Sequence, residues 1–482
     1  MLLARMVLFY FFFLIYLVFC PRIILYSFGY IFNPAKNKIS QTGLLRVATA
    51  PSQAEIFLGH RRYKYRTPAT INGLIPGNYT LTVRLRGYRP WEHTVSVEEG
   101  KAAVFENILL IPSVLKQRKI SEDIFTGLTP LSGTGYLLLR SGPNLGEFFS
   151  LDLDKEDLER LVFLGSPEAD FPVISSYIES NSGQLVLYCG SLWDRRYFLK
   201  IFGDGEDGVI DITKLVAGRP NMIIWSHENE KNLFTLYENH VDRIDIDSVA
   251  VFPRYLENIK GFGVAGEKLY ILDEDNFVIG MNYDKKDLSP VIRDSILNRK
   301  LLRQSNFYRI NEFQKDVLVF WGDRGQLVAA YAPFVLADKD VRGMEYNEQA
   351  RRLAFWSRKN IWIADFGTEE PSITAGSGKS VRLSTVDEKG KDIQQCFWAN
   401  EGGHLVCRDR DIVFLIELEP DGKHHKEQLI EVRGNTDIFY SDINGRLYYL
   451  DNKSGYLLTA EIIPKKDFIF KTFMQENREQ NN

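Results

Sequence analysis

The sequence predicts a chain that is all-β apart from one apolar helix at its amino terminus. Three observations carry this. Long stretches alternate apolar with polar residues, the pattern of half-buried strands. The 23 Tyr, 32 Phe and 36 Gly favour strands and turns over helices. A hairpin-like unit also recurs through most of the chain. At 482 residues the chain exceeds a single hydrophobic core and must divide into domains.

The apolar segment comes first. Met6 to Pro21 holds no charged residue, and the apolar run resumes after Arg22 as far as Phe32. Met6 to Phe28 is long enough to cross a hydrocarbon core of ~30 Å, with Arg22 near one end, where its stem can reach the headgroups. A cleaved signal peptide needs small residues before the cut. Here the candidate end reads Leu17-Val18-Phe19-Cys20, and the bulky Phe19 argues equally against a lipid-modified Cys20. Residues 1–32 are therefore read as an uncleaved transmembrane anchor and 33–44 as a linker. Arg5 precedes the span, whereas Arg22, Lys36 and Lys38 follow it, so charge alone favours a carboxy-terminal side that faces inward.

Residues 45–112 are written in turn chemistry. A strand at Glu55-Ile56-Phe57 follows Pro51 and ends at Gly59, and Thr67 to Ile71 is an edge strand because Pro68 cannot donate to a ladder. Leu74-Ile75-Pro76-Gly77 is a turn with Pro presetting φ and Gly supplying a positive one. Tyr79 to Leu85 alternates cleanly and stops at Gly87-Tyr88. Trp91 to Val97 and Val104 to Leu110 complete about six short strands of a small β-sandwich.

These positions resemble the PEGA domain, on Pro51, Ala54, Gly59, Thr67, Pro68, Leu74, Pro76, Gly77, Tyr79, Gly87, Tyr88 and Trp91. Gln53 stands where that family often has glycine, which puts the geometry of the first turn in question. The resemblance implies a bacterial, mostly extracytoplasmic module for binding or scaffolding, without catalytic residues. The lead-in Leu25 to Tyr30 also resembles an arrangement of anchor, one PEGA domain and β-rich tail. That arrangement implies an amino terminus inside and the remainder outside, and it outweighs the charge balance.

From about residue 120 a unit repeats every ~36–50 residues. An aromatic residue closes one strand, a polar turn follows, and Leu opens the next strand. The pairs are Trp225 with Leu233, Phe262 with Leu269, Tyr346 with Leu353, Trp398 with Leu405, Tyr440 with Leu447, and Tyr177 with Leu185. Weaker units surround Tyr136 and Leu318. Repeating antiparallel hairpins at this period predict a β-propeller over 120–464, of seven or eight blades. The turn at Trp398 to Gly402 resembles that of TolB-like and other WD40-like propellers. The tail 465–482 turns polar.

Few residues offer chemistry. Thr374 to Ser380 imitates a phosphate loop, but Ile373 stands where the first glycine belongs, so no nucleotide is expected. No nucleophile elbow sits between a strand and a helix. The seven histidines form no H-x-x-x-H pair, and His424-His425 reads as a solvated turn. The acidic clusters Asp152, Asp154, Glu156, Asp157 and Asp204, Glu206, Asp207 both read as solvated turns, since the second has the glycines of a calcium loop but no distal bidentate carboxylate. No metal or cofactor is expected. A net charge of −4 gives no basic face for nucleic acid. Of the four cysteines, Cys396 and Cys407 fall opposite each other if their hairpin turns at Glu401-Gly402. Two buried reduced thiols are the reading adopted, with a cross-strand disulfide as the alternative.

The expectation is a single-pass membrane protein whose sandwich and propeller bind a protein or an envelope polysaccharide outside the cell, without catalysis. The alternatives are a hydrolase or lyase with its site in the central channel, and a structural spacer.

Overall fold

The structure, a computed structural model, describes residues 2–27, 29–33, 38–131, 135–142, 147–161, 175–181, 184–190, 195–201, 209–226, 232–265, 268–275, 277–282, 289–292, 305–314, 317–330, 334–337, 339–367, 381–418 and 424–463. The loop 374–380, His227, the cluster at 204–207 and the tail 465–482 lie outside the described residues.

Helix α1 (Leu2–Ser27) is the one helix among the described residues. Its stretch Phe9–Ser27 has a mean hydropathy of 2.0, long and apolar enough to cross a membrane. Gly29 stops it with φ +78°, and its N–H bonds to the Tyr26 carbonyl at 3.0 Å. The chain then forms a two-stranded ribbon, Tyr30–Asn33 against Lys38–Gln41, where the sequence predicts the end of an anchor and a linker.

The small sandwich has two sheets. One holds Ala69–Leu74, Gly43–Ala50 and Ala102–Leu109, with Gly43–Ala50 central; the other holds Arg61–Arg66, Glu55–Leu58, Gly77–Arg84 and Trp91–Val97. Alternation does the work: in Trp91–Val97 every second residue is buried, and in Gly43–Ala50 Leu45 and Val47 point inward. Leu45, Val47, Ile56, Leu81, Val83, Trp91 and Ile108 form the core between the sheets. Seven strands are present against the six expected. Arg61–Arg66 escapes prediction because it is an edge strand whose side chains are nearly all exposed, so no apolar period marks it.

Residues 117–460 form a compact unit of eight four-stranded antiparallel blades, among the described residues. In chain order they occupy 127–160, 175–211, 222–257, 259–292, 308–337, 343–387, 393–431, and 439–461 completed by 117–124. Blades pack face on face through shared apolar clusters. Val319 and Leu327 of blade 5 meet Leu353 and Phe355 of blade 6, and Trp356 and Ile363 of blade 6 meet Trp398 and Phe414 of blade 7. Blade 8 takes its outermost strand, Gln117–Ile124, from before blade 1, and its remaining three from the end of the propeller. Leu450 and Tyr448 of that blade share a cluster with Leu137 and Leu151 of blade 1, so the ring is closed.

Blades 4 and 5 depart from the pattern. Their inner strands, Ile259–Ala265 and Tyr308–Gln314, pair in parallel with Gly261 opposite Tyr308 and Phe262 opposite Arg309. The repeat pairs of the sequence are mostly literal. Trp225–Leu233, Tyr346–Leu353, Trp398–Leu405 and Tyr440–Leu447 are direct cross-strand partners. Phe262 instead faces Ile271, and Tyr177 faces Tyr188. Blades 1 and 5 are weak in sequence because Tyr136 and Leu318 open or sit in second strands rather than closing first ones.

Candidate functional site

The turns that lead into each inner strand lie on one face of the propeller, together with the turns between second and third strands. On that face is a cavity of about 1080 Å³. Blade 3 contributes its entry, Arg219 to Ile223, and the turn residue Glu238. Blade 5 contributes its entry, Asn306, Phe307 and Arg309, and its turn from Trp321 to Gly325. Blades 3 and 5 are not neighbours in the ring, yet both line this cavity, together with Tyr197 of blade 2 and Val341 at the entry of blade 6.

Local chemistry fixes these groups. Asp323 accepts the backbone N–H of Asn306 at 3.0 Å and its side-chain amide at 3.2 Å, while its own N–H bonds to the Phe307 carbonyl at 3.0 Å. The entry and the turn of blade 5 thereby hold each other. Gly322 and Gly325 are required there. A Cβ on Gly322 would stand 1.9 Å from Ser305 Oγ, and Gly325 has φ +76° with the Val341 backbone nitrogen 2.6 Å from where a Cβ would lie. Trp321 Nε1 donates to the Val341 carbonyl at 3.4 Å. Tyr197 of blade 2 is buried and donates through its hydroxyl to the Gly218 carbonyl at 2.9 Å, which steadies the loop carrying Arg219.

The cavity thus offers aromatic side chains (Phe307, Trp321), two guanidinium groups (Arg219, Arg309) and an exposed carboxylate, Glu238, over the buried Tyr197. Its other acid, Asp323, is committed to holding Asn306 in place. Burial pushes the Glu345 carboxyl, on the inner strand of blade 6, up to about 7. Burial also raises Asp437 against the pull of Arg408, and lowers Arg408 itself. Arg408 is 1% exposed and donates from Nε to the Arg410 carbonyl at 2.7 Å. No group of three or more His, Cys, Asp or Glu arranged for a metal occurs among the described residues.

The residues picked out in the sequence hold structure together. Pro51, Ala54, Thr67 and Pro68 meet in one knot. Thr67 Oγ1 accepts the Ala54 N–H at 2.9 Å and donates to Thr49 Oγ1 at 2.6 Å, because the Thr49 hydroxyl spends its own proton on the Pro51 carbonyl at 2.6 Å. Gln53 has φ +68°, so the turn keeps the left-handed backbone that glycine would adopt freely. Gly59 and Gly87 also have positive φ, +57° and +87°, but near the Pro76 turn the positive φ falls on Gly73, at +74°, and not on Gly77, which already opens the next strand. Leu74 and Trp91 are core residues, and Tyr79 donates its hydroxyl to the Ile75 carbonyl at 2.6 Å across the Pro76-Gly77 turn. Tyr88 bridges to Pro112.

Cys396 and Cys407 are direct cross-strand partners in blade 7, with Cα atoms 4.1 Å apart, the close spacing of a non-hydrogen-bonded pair. The structure joins them in a disulfide of 2.11 Å, where the sequence reading adopts reduced thiols. The cluster at Asp152 is a turn, in which Asp152 Oδ1 accepts the N–H groups of Asp154 and Lys155. Glu156 is more than solvated: it pairs with both Arg118 and Arg446. His425 Nε2 lies 3.8 Å from Glu427.

Residues 42–108 match the PEGA domain. That assignment covers the small sandwich and leaves the propeller to be judged on its own strand pairings. No curated protein matches the chain. Among solved structures, the β-propeller domain of Cps50 (Swd1) from Myceliophteria thermophila is similar at 11% identity and a TM-score of 0.42, over 72% of this chain and 100% of that one. PorZ, a surface component of the type-IX secretion system of Porphyromonas gingivalis, is similar at 12% identity and a TM-score of 0.37, over 69% and 42%. The designed protein Ika8 gives 12%, 0.41, and 71% and 97%.

The cavity residues were not visible as a site in the sequence. Five turns scattered over more than a hundred residues converge only once the ring closes. One signal exists: Trp321-Gly322-Asp323-Arg324-Gly325 has the same aromatic-to-glycine form as the turn at Trp398 to Gly402.

Proposed function

We propose that this chain is a membrane-anchored, extracytoplasmic protein of the bacterial envelope that binds a protein or a polysaccharide, and that it performs no catalysis. The observation that carries the reading is the cavity on the entry face of the propeller, where aromatic side chains and guanidinium groups of separate blades line one open space. Such a surface suits a ligand with flat apolar faces and hydrogen-bonding or acidic groups. The acid best placed for chemistry, Asp323, is occupied by Asn306, which favours recognition over proton transfer. The PEGA domain supports an extracytoplasmic setting, and α1 supports attachment to a membrane.

The test is affinity capture from solubilised envelope, with the full chain in nanodiscs as bait beside its Trp321→Ala and Arg219→Glu variants. A defined protein or glycan retained by the parent and lost from both variants is the expected result. Equal retention by all three would remove the cavity from the binding surface. Turnover of envelope polymer by the parent would overturn the non-catalytic reading.

A further inference from the structure

The ribbon between α1 and the PEGA domain turns an apolar face outward. Tyr30, Phe32 and Ile39 are 38%, 59% and 58% exposed. The register places them together, with Phe32 opposite Ile39 and Tyr30 opposite Gln41. The reverse face carries half-buried Ile31 and Ser40, which is 2% exposed. A two-stranded ribbon in water keeps its apolar face inward and its polar face in solvent. This one does the opposite.

Its position explains why. The stretch Phe9–Ser27 has 19 residues, about 28 Å at ~1.5 Å per residue, which is the thickness of the hydrocarbon core. Tyr30 follows Ser27 by three positions, so the chain enters the ribbon where headgroups begin. Both ends of the ribbon are held there, because the Gly29 carbonyl accepts the Thr42 N–H at 2.7 Å. We infer that the Tyr30, Phe32 and Ile39 face lies in the interfacial layer of a lipid bilayer. The aromatic rings suit that layer, and a β-branched apolar neighbour completes the patch.

The ribbon is also tied to the PEGA domain. Lys38 Nζ lies 3.8 Å from Glu99 Oε1, and a Cβ on Gly100 would stand 2.6 Å from Gln41 Oε1 at the ribbon's end. A ribbon seated in lipid therefore sets the tilt of the PEGA domain on the membrane instead of leaving it on a free tether. This inference rests on reading α1 as an uncleaved anchor.

The experiment separates the two. Nitroxide labels are placed one at a time through Leu14→Cys, Phe32→Cys, Ile39→Cys and Thr94→Cys, in the full chain carrying Cys20→Ser and Cys189→Ser and reconstituted in liposomes. Collision with oxygen is compared with collision with a water-soluble nickel chelate. The oxygen-to-nickel ratio at 32 and 39 is expected to exceed that at 94 several-fold and to approach that at 14. A lipid-like ratio at 14 with water-like ratios at 32 and 39 would overturn the ribbon inference and leave the anchor standing. A water-like ratio at 14 would overturn the anchor, and the ribbon inference with it.

Discussion

Gly263, on the inner strand of blade 4, lies against Ile310, on the inner strand of blade 5, so closely that a Cβ on the glycine would stand 2.0 Å from the isoleucine carbonyl oxygen. Gly261 has the same problem, with the Tyr308 carbonyl oxygen 2.9 Å away. The parallel pairing of these two strands exists because neither glycine carries a side chain. Gly263→Ala should force the seam apart and cost about 1–3 kcal/mol. Gly127→Ala serves as the control, since its nearest neighbour would be 3.7 Å off, an ordinary contact. Thermal unfolding of both variants checks this; equal melting temperatures would mean the seam has room to spare.

Glu156 joins the two ends of the ring. It belongs to blade 1, and its partners Arg118 and Arg446 belong to blade 8. Its hydrogen bond to Arg118, then the charges of both arginines, hold its carboxyl below the usual range. The folded state therefore binds fewer protons than the unfolded chain, so the contribution is complete above the unfolded value of ~4.3 and fades as pH falls through the lowered folded value. Partial exposure limits the size. Glu156→Gln should lose about 0.5–1 kcal/mol at pH 7 and less at pH 3. Chemical denaturation of parent and variant at both values tests it, and a gap that persists in full at low pH would point away from the ion pairs.

Glu345 works in the other direction. Its carboxyl is desolvated although the residue as a whole is only partly buried, and its pKa is raised to about 7. Between the unfolded value and that one, the folded state holds a proton the unfolded chain has released, so stability declines as pH rises through this window. Glu345→Gln should match the parent near pH 4.5 and exceed it at pH 8, by up to about 3 kcal/mol. Denaturation midpoints across pH 4.5 to 8 decide the matter; parallel curves would show that the carboxyl finds solvent.

The Cys396–Cys407 bridge spans 11 positions, for which loop closure gives at most about 3 kcal/mol. The hairpin is already closed by its own turn and ladder, so Cys396→Ala with Cys407→Ala should cost less, about 1–2 kcal/mol. Alkylation after unfolding without reductant should leave both residues unmodified in the mass spectrum. Two alkylated cysteines would mean the chain carries thiols.

The PEGA sandwich was largely legible because its punctuation is local: Pro76, Gly59 and Gly87 mark turns within a few residues of the strands they separate. Arg61–Arg66 was hidden because an exposed edge strand needs no apolar period. The propeller was legible where an aromatic–Leu pair spans a hairpin, as at Tyr346–Leu353. The cavity was not, because Arg219, Phe307 and Trp321 approach one another only through ring closure, which no local spacing records. The ribbon was missed for a related reason. Four-residue strands beside an apolar helix look like the tail of that helix.

The outermost strand of blade 8 is made before any other part of the propeller, and its three companions are made last. During synthesis Gln117–Ile124 must wait, edge unpaired, while more than three hundred residues emerge. A ribosome that stalls, or a protease that cuts before Tyr456, leaves both a dangling strand and an open blade 1 surface, two sites ready to capture other chains. Completion is therefore the step that makes the nascent protein safe from aggregation, and its timing is set by the last strand to appear.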